Sequence, residues 1–120
     1  MKKKDLIFFR KTLSRQLGEL THKSDAAVAE LLTSVPASAD PVDQAELDLE
    51  RNLAIRMLDR ENKLIIKIQK ALRKIEDHTF GICEMCGEEI DIHRLKSRPV
   101  TDLCIHCKTR QEKMEKLACE

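Results

Sequence analysis

Cys83, Cys86, Cys104 and Cys107 form two C-x2-C pairs separated by seventeen residues. A C-x2-C turn aims two thiolates at one point, and a loop of this length can bring two such turns together. Four thiolates at about 2.3 Å in a tetrahedron make a closed structural zinc site, so one Zn2+ per chain is expected. Gly87, directly after the first pair, supplies the backbone freedom a knuckle needs. The second pair falls at a predicted helix start, where amide dipoles favour thiolate charge. Four sulfurs leave no coordination position for water, which argues against a catalytic metal. The competing reading of the same spacing is a metal-free redox dithiol. His93 and His106 are spare nitrogen donors whose ordinary place is facing solvent, and Cys119 is left over near the C-terminus.

A second candidate lies in the charge pattern. PASADPVDQAELDLE, residues 36–50, holds five acids (Asp40, Asp43, Glu46, Asp48, Glu50) and no base. From Arg56 to Lys74 seven bases face only two acids, Asp59 and Glu61. Acids in a first helical turn complement the helix dipole, which accounts for Asp40, Asp43 and Glu46. Asp48 and Glu50 lie beyond that reach and need only a solvated face. The bases are likewise consistent with a wet helix face carrying cations toward its C-terminus.

Composition narrows the classes. The chain has 120 residues, net charge +1, 36% charged residues and only three aromatic side chains, all Phe. Such a balance suits long solvated helices better than a thick globular core. It does not nominate DNA or an anionic membrane as a partner. No apolar run approaches the roughly 20 residues of a membrane span, and MKKKDLIFFRK is too short in apolar residues for a signal sequence. The expectation is a cytoplasmic chain, whose reducing surroundings favour metal over disulfide for paired cysteines.

These groups need elements to position them. Leu6, Phe9, Leu13, Leu17, Leu20, Ala27 and Leu31 recur at helical steps and predict a first helix over 5–33. Two prolines then break residues 33–41. Asp40 as N-cap with Pro41 at the first helical position predicts a second helix, ending near Asp77–His78. Val42, Ala45, Leu49 and Leu53 open its apolar stripe, which weakens between Arg56 and Asn62. Ile65, Ile68, Leu72 and Ile75 continue it at heptad-like steps. The ordinary role of such stripes is core, so the two helices are expected to pack together. The fold class is therefore mainly α: a long antiparallel coiled-coil hairpin over 1–79, with its tip at about 34–45. A small four-cysteine zinc-finger domain over 80–120 follows, read as knuckle, extended loop, and knuckle opening into a short helix. The finger holds too few apolar residues to fold without its metal.

Four stretches together carry a resemblance: DPVDQA at the tip, RENKLIIKIQKALRKIED on the second helix, FGICEMCGEEI at the first knuckle and RLKSRPVTDLCIHCKT through the second. In this order they resemble the DksA/TraR family of bacterial RNA polymerase-binding proteins over essentially the whole chain. The resemblance implies a transcription regulator, not an enzyme, that inserts its coiled coil into the secondary channel of RNA polymerase. The family's tip motif D-x-x-D-x-A falls on Asp40, Asp43 and Ala45, which would act near the active centre on promoter open complexes. A binding site for the alarmone ppGpp, completed at the junction with polymerase, would use Lys67, Arg98 and Lys108. That carries a link to the stringent response. Gln44 stands where the family pattern has a basic residue, and relative to longer members the chain is expected to lack their N-terminal extension. A monomer is expected.

Two other functions compete. A transcript-cleavage factor of the Gre type also uses an acidic coiled-coil tip, but the four-cysteine finger and the D-x-x-D-x-A pattern argue against it. A DNA-binding finger is disfavoured because His93, Arg94, Lys96 and Arg98 are offset by Glu88, Glu89, Asp91 and Asp102.

Overall fold

A computed structural model describes residues 1–33 and 40–119. Of the expected tip, about 34–45, residues 34–39 lie outside the described residues. Among the described residues four helices follow in order: α1 Lys3–Thr33, α2 Pro41–Glu76, α3 Ile92–Ser97 and α4 Ile105–Cys119. Strand pairing among the described residues is confined to one antiparallel bridge between Ile82 and Glu89. No helix among the described residues is long and apolar enough to cross a membrane. The fold is the expected helical hairpin with a four-cysteine finger.

The start of α2 obeys its local sequence. One oxygen of Asp40 accepts from the amides of Val42 and Asp43 at 3.0 and 2.9 Å, satisfying two donors that have no partner inside the helix. Its end is as local. Thr79 N–H donates to the Lys74 carbonyl at 2.9 Å and His78 N–H to that of Ile75 at 3.3 Å. That is the Schellman pattern, with His78 at φ 61° in the left-handed position.

The chain divides into two compact units, residues 1–14 with 68–120, and residues 15–67. The first is the better packed. Phe9 and Leu13 of α1 and Ile68, Ala71 and Ile75 of α2 are buried with Phe80, Ile90, Leu95 and Leu103. The Phe9 and Phe80 rings lie 5.2 Å apart between centroids.

In the unit 15–67, α1 and α2 run antiparallel and cover one another along a narrow seam. Leu17, Leu20, Ala27 and Leu31 are half-buried on α1, as are Ala54, Leu58, Glu61 and Ile65 on α2. Ser24 is buried and its hydroxyl donates to Asn62 Oδ1 at 3.4 Å. The expected register of α2 needs correction here. Val42, Leu49 and Leu53 are 69, 70 and 60% exposed, and Ala45 is exposed as well. Counting back from Ile75, Leu72, Ile68 and Ile65 in alternating threes and fours reaches Glu61, Leu58 and Ala54. Leu53 is rotated about 100° away from that line. The stripe does not weaken at 56–62; it passes through a carboxylate. Glu61 is tolerated because Lys23 meets it at 3.2 Å, leaving its side chain only 14% exposed.

The stretch between the knuckles was expected to be an extended loop, and it contains α3. Asp91 caps it, accepting weakly from His93 N–H at 3.4 Å, and Leu95 is buried beneath it. Pro99 follows directly after the C-cap Arg98, where a helix cannot easily continue. One buried leucine and one cap suffice for six residues, too few to show a period.

Candidate metal centre and family relationships

The first knuckle is built by short backbone bonds. Ile90 N–H donates to the Gly81 carbonyl at 2.7 Å, Cys83 N–H to Glu88 at 2.8 Å and Gly87 N–H back to Cys83 at 2.9 Å. Two of these turns require positive φ, met by Gly81 at 83° and Gly87 at 75°. At Gly81 space is also short, since a Cβ there would lie 2.6 Å from the Met1 methyl and 3.4 Å from Leu95 Cδ1. Gly87, as expected from its place after Cys86, needs only the conformation, because nothing lies within 4 Å of such a Cβ.

Cys104 stands immediately before α4, and Cys107 is buried in its first turn. Lys108 N–H donates to the Cys104 carbonyl at 2.9 Å, closing that turn. The four sulfurs of Cys83, Cys86, Cys104 and Cys107 all lie within 4.8 Å of one another. Cys86 and Cys104 are 3.7 Å apart, far beyond a disulfide at about 2.05 Å. An edge of about 3.8 Å is what four sulfurs at 2.3 Å from a shared tetrahedral centre require. The donor chemistry fits as well. Burial pushes the Cys83 thiol up, but the backbone amides of Cys86, Cys104 and Met85 outweigh it and bring it to about 6. Cys107 is pushed up to about 12, first by the Cys104 thiol beside it and then by burial. The cluster thus accepts one negative charge readily and resists another, a repulsion that a divalent cation relieves.

The other predicted residues are distributed as follows. Asp40, Asp43 and Ala45 are exposed at the start of α2. Asp48 accepts from Gln44 Nε2 at 3.1 Å along that helix. Lys67 is an exposed residue of α2 in the unit 15–67. Arg98 is the exposed C-cap of α3, and Lys108 is half-buried in the first turn of α4, its ammonium 3.4 Å from Gln111 Oε1. His93 and His106 are exposed, as expected, and so is Cys119.

One polar cluster was not singled out from the sequence. Lys70 Nζ lies 2.9 Å from Glu84 and 3.3 Å from Asp102, and Lys74 Nζ lies 2.6 Å from the same Glu84 oxygen. Lys74 first and then Lys70 hold the Glu84 carboxyl down at about 2, and Glu84 in turn raises Lys70. The available signal was Lys70 and Lys74 four apart on one helix face, which reads equally well as solvated surface.

Comparison with known proteins covers the same ground. Residues 5–75 match the family described as DnaK suppressor protein DksA, N-terminal domain, and residues 78–113 match the prokaryotic dksA/traR C4-type zinc finger. The RNA polymerase-binding transcription factor DksA of Escherichia coli strain K12 is 45% identical over 116 residues, spanning 97% of this chain and 77% of that protein. The protein of the same name from Haemophilus influenzae is 40% identical, over 97% and 80%. The solved structure of transcription factor DksA2 from Pseudomonas aeruginosa superimposes with a TM-score of 0.86 at 37% identity, covering 97% of this chain and 89% of that one.

Proposed function

We propose, because this chain belongs to the DksA/TraR family, that it is a transcription regulator whose target is RNA polymerase. The observation that carries the reading is that both family domains occur in order along one chain, over 5–75 and 78–113. Relatives at 40–45% identity bear the name RNA polymerase-binding transcription factor. In this reading the hairpin enters the secondary channel of the polymerase. The chain acts as a cytoplasmic, monomeric binding protein and catalyses no reaction of its own.

The four cysteines hold one structural zinc, which supplies charge compensation and cross-links two chain segments. Asp40, Asp43 and Ala45 work near the polymerase active centre and alter the lifetime of promoter open complexes. Asp40 already has a local task as the α2 cap, whereas Asp43 accepts no such bond among the described residues and its local contribution is the first-turn dipole alone. Lys67, Arg98 and Lys108 bind ppGpp when the complex with polymerase forms. Their chemistry suits it: a guanidinium offers planar paired donors to a diphosphate, and ammonium groups offer mobile point charges.

The test separates binding from action. Asp43→Asn and Ala45→Thr proteins are expected to compete for core polymerase as well as the parent chain and yet fail to regulate single-round transcription from a ribosomal RNA promoter. In the same assay, replacing Lys67, Arg98 and Lys108 by Ala should leave binding nearly intact and abolish the response to ppGpp. Regulation by Asp43→Asn equal to that of the parent chain would reduce the tip acids to helix caps. Cleavage of stalled transcripts by the parent chain would instead favour a Gre-type activity.

A further inference from the structure

Each cysteine pair is closed within itself, the first by Gly87 N–H to the Cys83 carbonyl and the second by Lys108 N–H to Cys104. Those bonds do not set the distance between the pairs. That distance depends on what joins residues near Cys83 to residues near Cys104. One joint is the backbone bond from Glu84 N–H to the Asp102 carbonyl at 2.9 Å. Another is Lys70, whose ammonium spans the carboxylates of Glu84 and Asp102 at 2.9 and 3.3 Å. Glu84 is the residue after Cys83, and Asp102 lies two before Cys104. Lys74 reaches only the Glu84 side at 2.6 Å. Both lysines stand on a stretch of α2 fixed by the buried Ile68, Ala71 and Ile75. The cluster closes on itself electrically, with two ammonium groups against two carboxylates.

From this geometry we infer that Lys70 is a positioning residue of the metal centre, tying both cysteine pairs to α2 so that metal retention and the order of residues 68–76 are coupled. The inference rests on the zinc reading given above. Coupling of this kind is reciprocal: what α2 does for the metal, the metal does for α2. Groups that orient metal ligands from behind change affinity by about 10–100-fold when removed. Lys70, Glu84 and Asp102 are each 40–45% exposed in their side chains, and solvent screening puts the expected effect at the low end of that range.

The experiment uses the full chain loaded with Zn2+, mixed with excess EDTA, with metal release followed by stopped flow. Lys70→Gln should release zinc about tenfold faster, Lys74→Gln should show a smaller acceleration, and Lys70→Arg, which keeps two donors, should stay near the parent rate. Added salt should speed release from the parent chain more than from Lys70→Gln, which keeps only the Lys74–Glu84 pair, a difference that a packing role would not produce. Removing the metal should raise amide exchange over 68–76 in the parent chain more than in Lys70→Gln. Equal release rates for parent and Lys70→Gln at equal helical content overturn the inference and leave the zinc reading standing. Should Lys70→Gln lose helicity, the parent chain decides, because salt-independent release overturns it too. A parent chain that binds no zinc removes both.

Discussion

Residues 1–14 and 68–120 contain all eleven buried apolar side chains described, whereas the described residues of 15–67 include one buried side chain, Ser24, and it is polar. The difference follows from how many elements meet. Two helices side by side can cover only one stripe on each, so Leu17, Leu58 and Ile65 stay half-exposed. Around Phe9, Ile68 and Phe80 the knuckles and α3 supply further walls, and side chains there reach complete burial. One region closes around a core, and the other leaves much of its apolar surface exposed. Leu49, Leu53 and the acids of residues 40–50 belong to the second kind.

This contrast can be broken most severely at the metal centre. Structural zinc contributes roughly 10–16 kcal/mol of apparent binding free energy in small fingers, all of it available to folding. Cys107→Ser should therefore abolish stoichiometric zinc by elemental analysis and collapse amide protection over residues 80–104. Helical circular dichroism from 15–67 should persist. Loss of that helicity as well would show that the two regions do not hold their structure separately.

A smaller effect is expected within the packed region itself. Phe9 is fully buried against Phe80, and Phe9→Ala should cost about 3–5 kcal/mol in urea unfolding, since a cavity is added to the lost transfer energy. The counterpart in 15–67 gives the smallest change. Leu53→Ala removes a side chain that is 60% exposed and should shift stability by no more than about 0.5 kcal/mol. If Leu53→Ala matched Phe9→Ala, the seam on α2 would run through Leu53 after all.

The four-cysteine cluster, the starts of α2 and α4 and the fold class were legible because their determinants lie close together along the chain. Two C-x2-C pairs state their chemistry by spacing alone, and Asp40 with Pro41 states a helix start in two residues. Even Glu61 could be seen as one of only two acids among seven bases, although its place in the seam could not. The rotation of α2 is not fixed by the sequence, because a helix with leucines at 49, 53, 58 and 64 offers more than one apolar line. Only packing against α1 and the fully buried Ile68 selects among them. The helix α3 was hidden for another reason: six residues are less than two turns, and its stability comes from burying Leu95 in a space that other segments enclose. The bridge from Lys70 to Glu84 and Asp102 joins residues up to 32 positions apart. What the sequence by itself determined, then, was local: turns, caps, periods and ligand spacing. Which face turns inward and which distant charges meet were decided by the tertiary structure, because those choices compare whole surfaces and no short stretch of chain contains both sides.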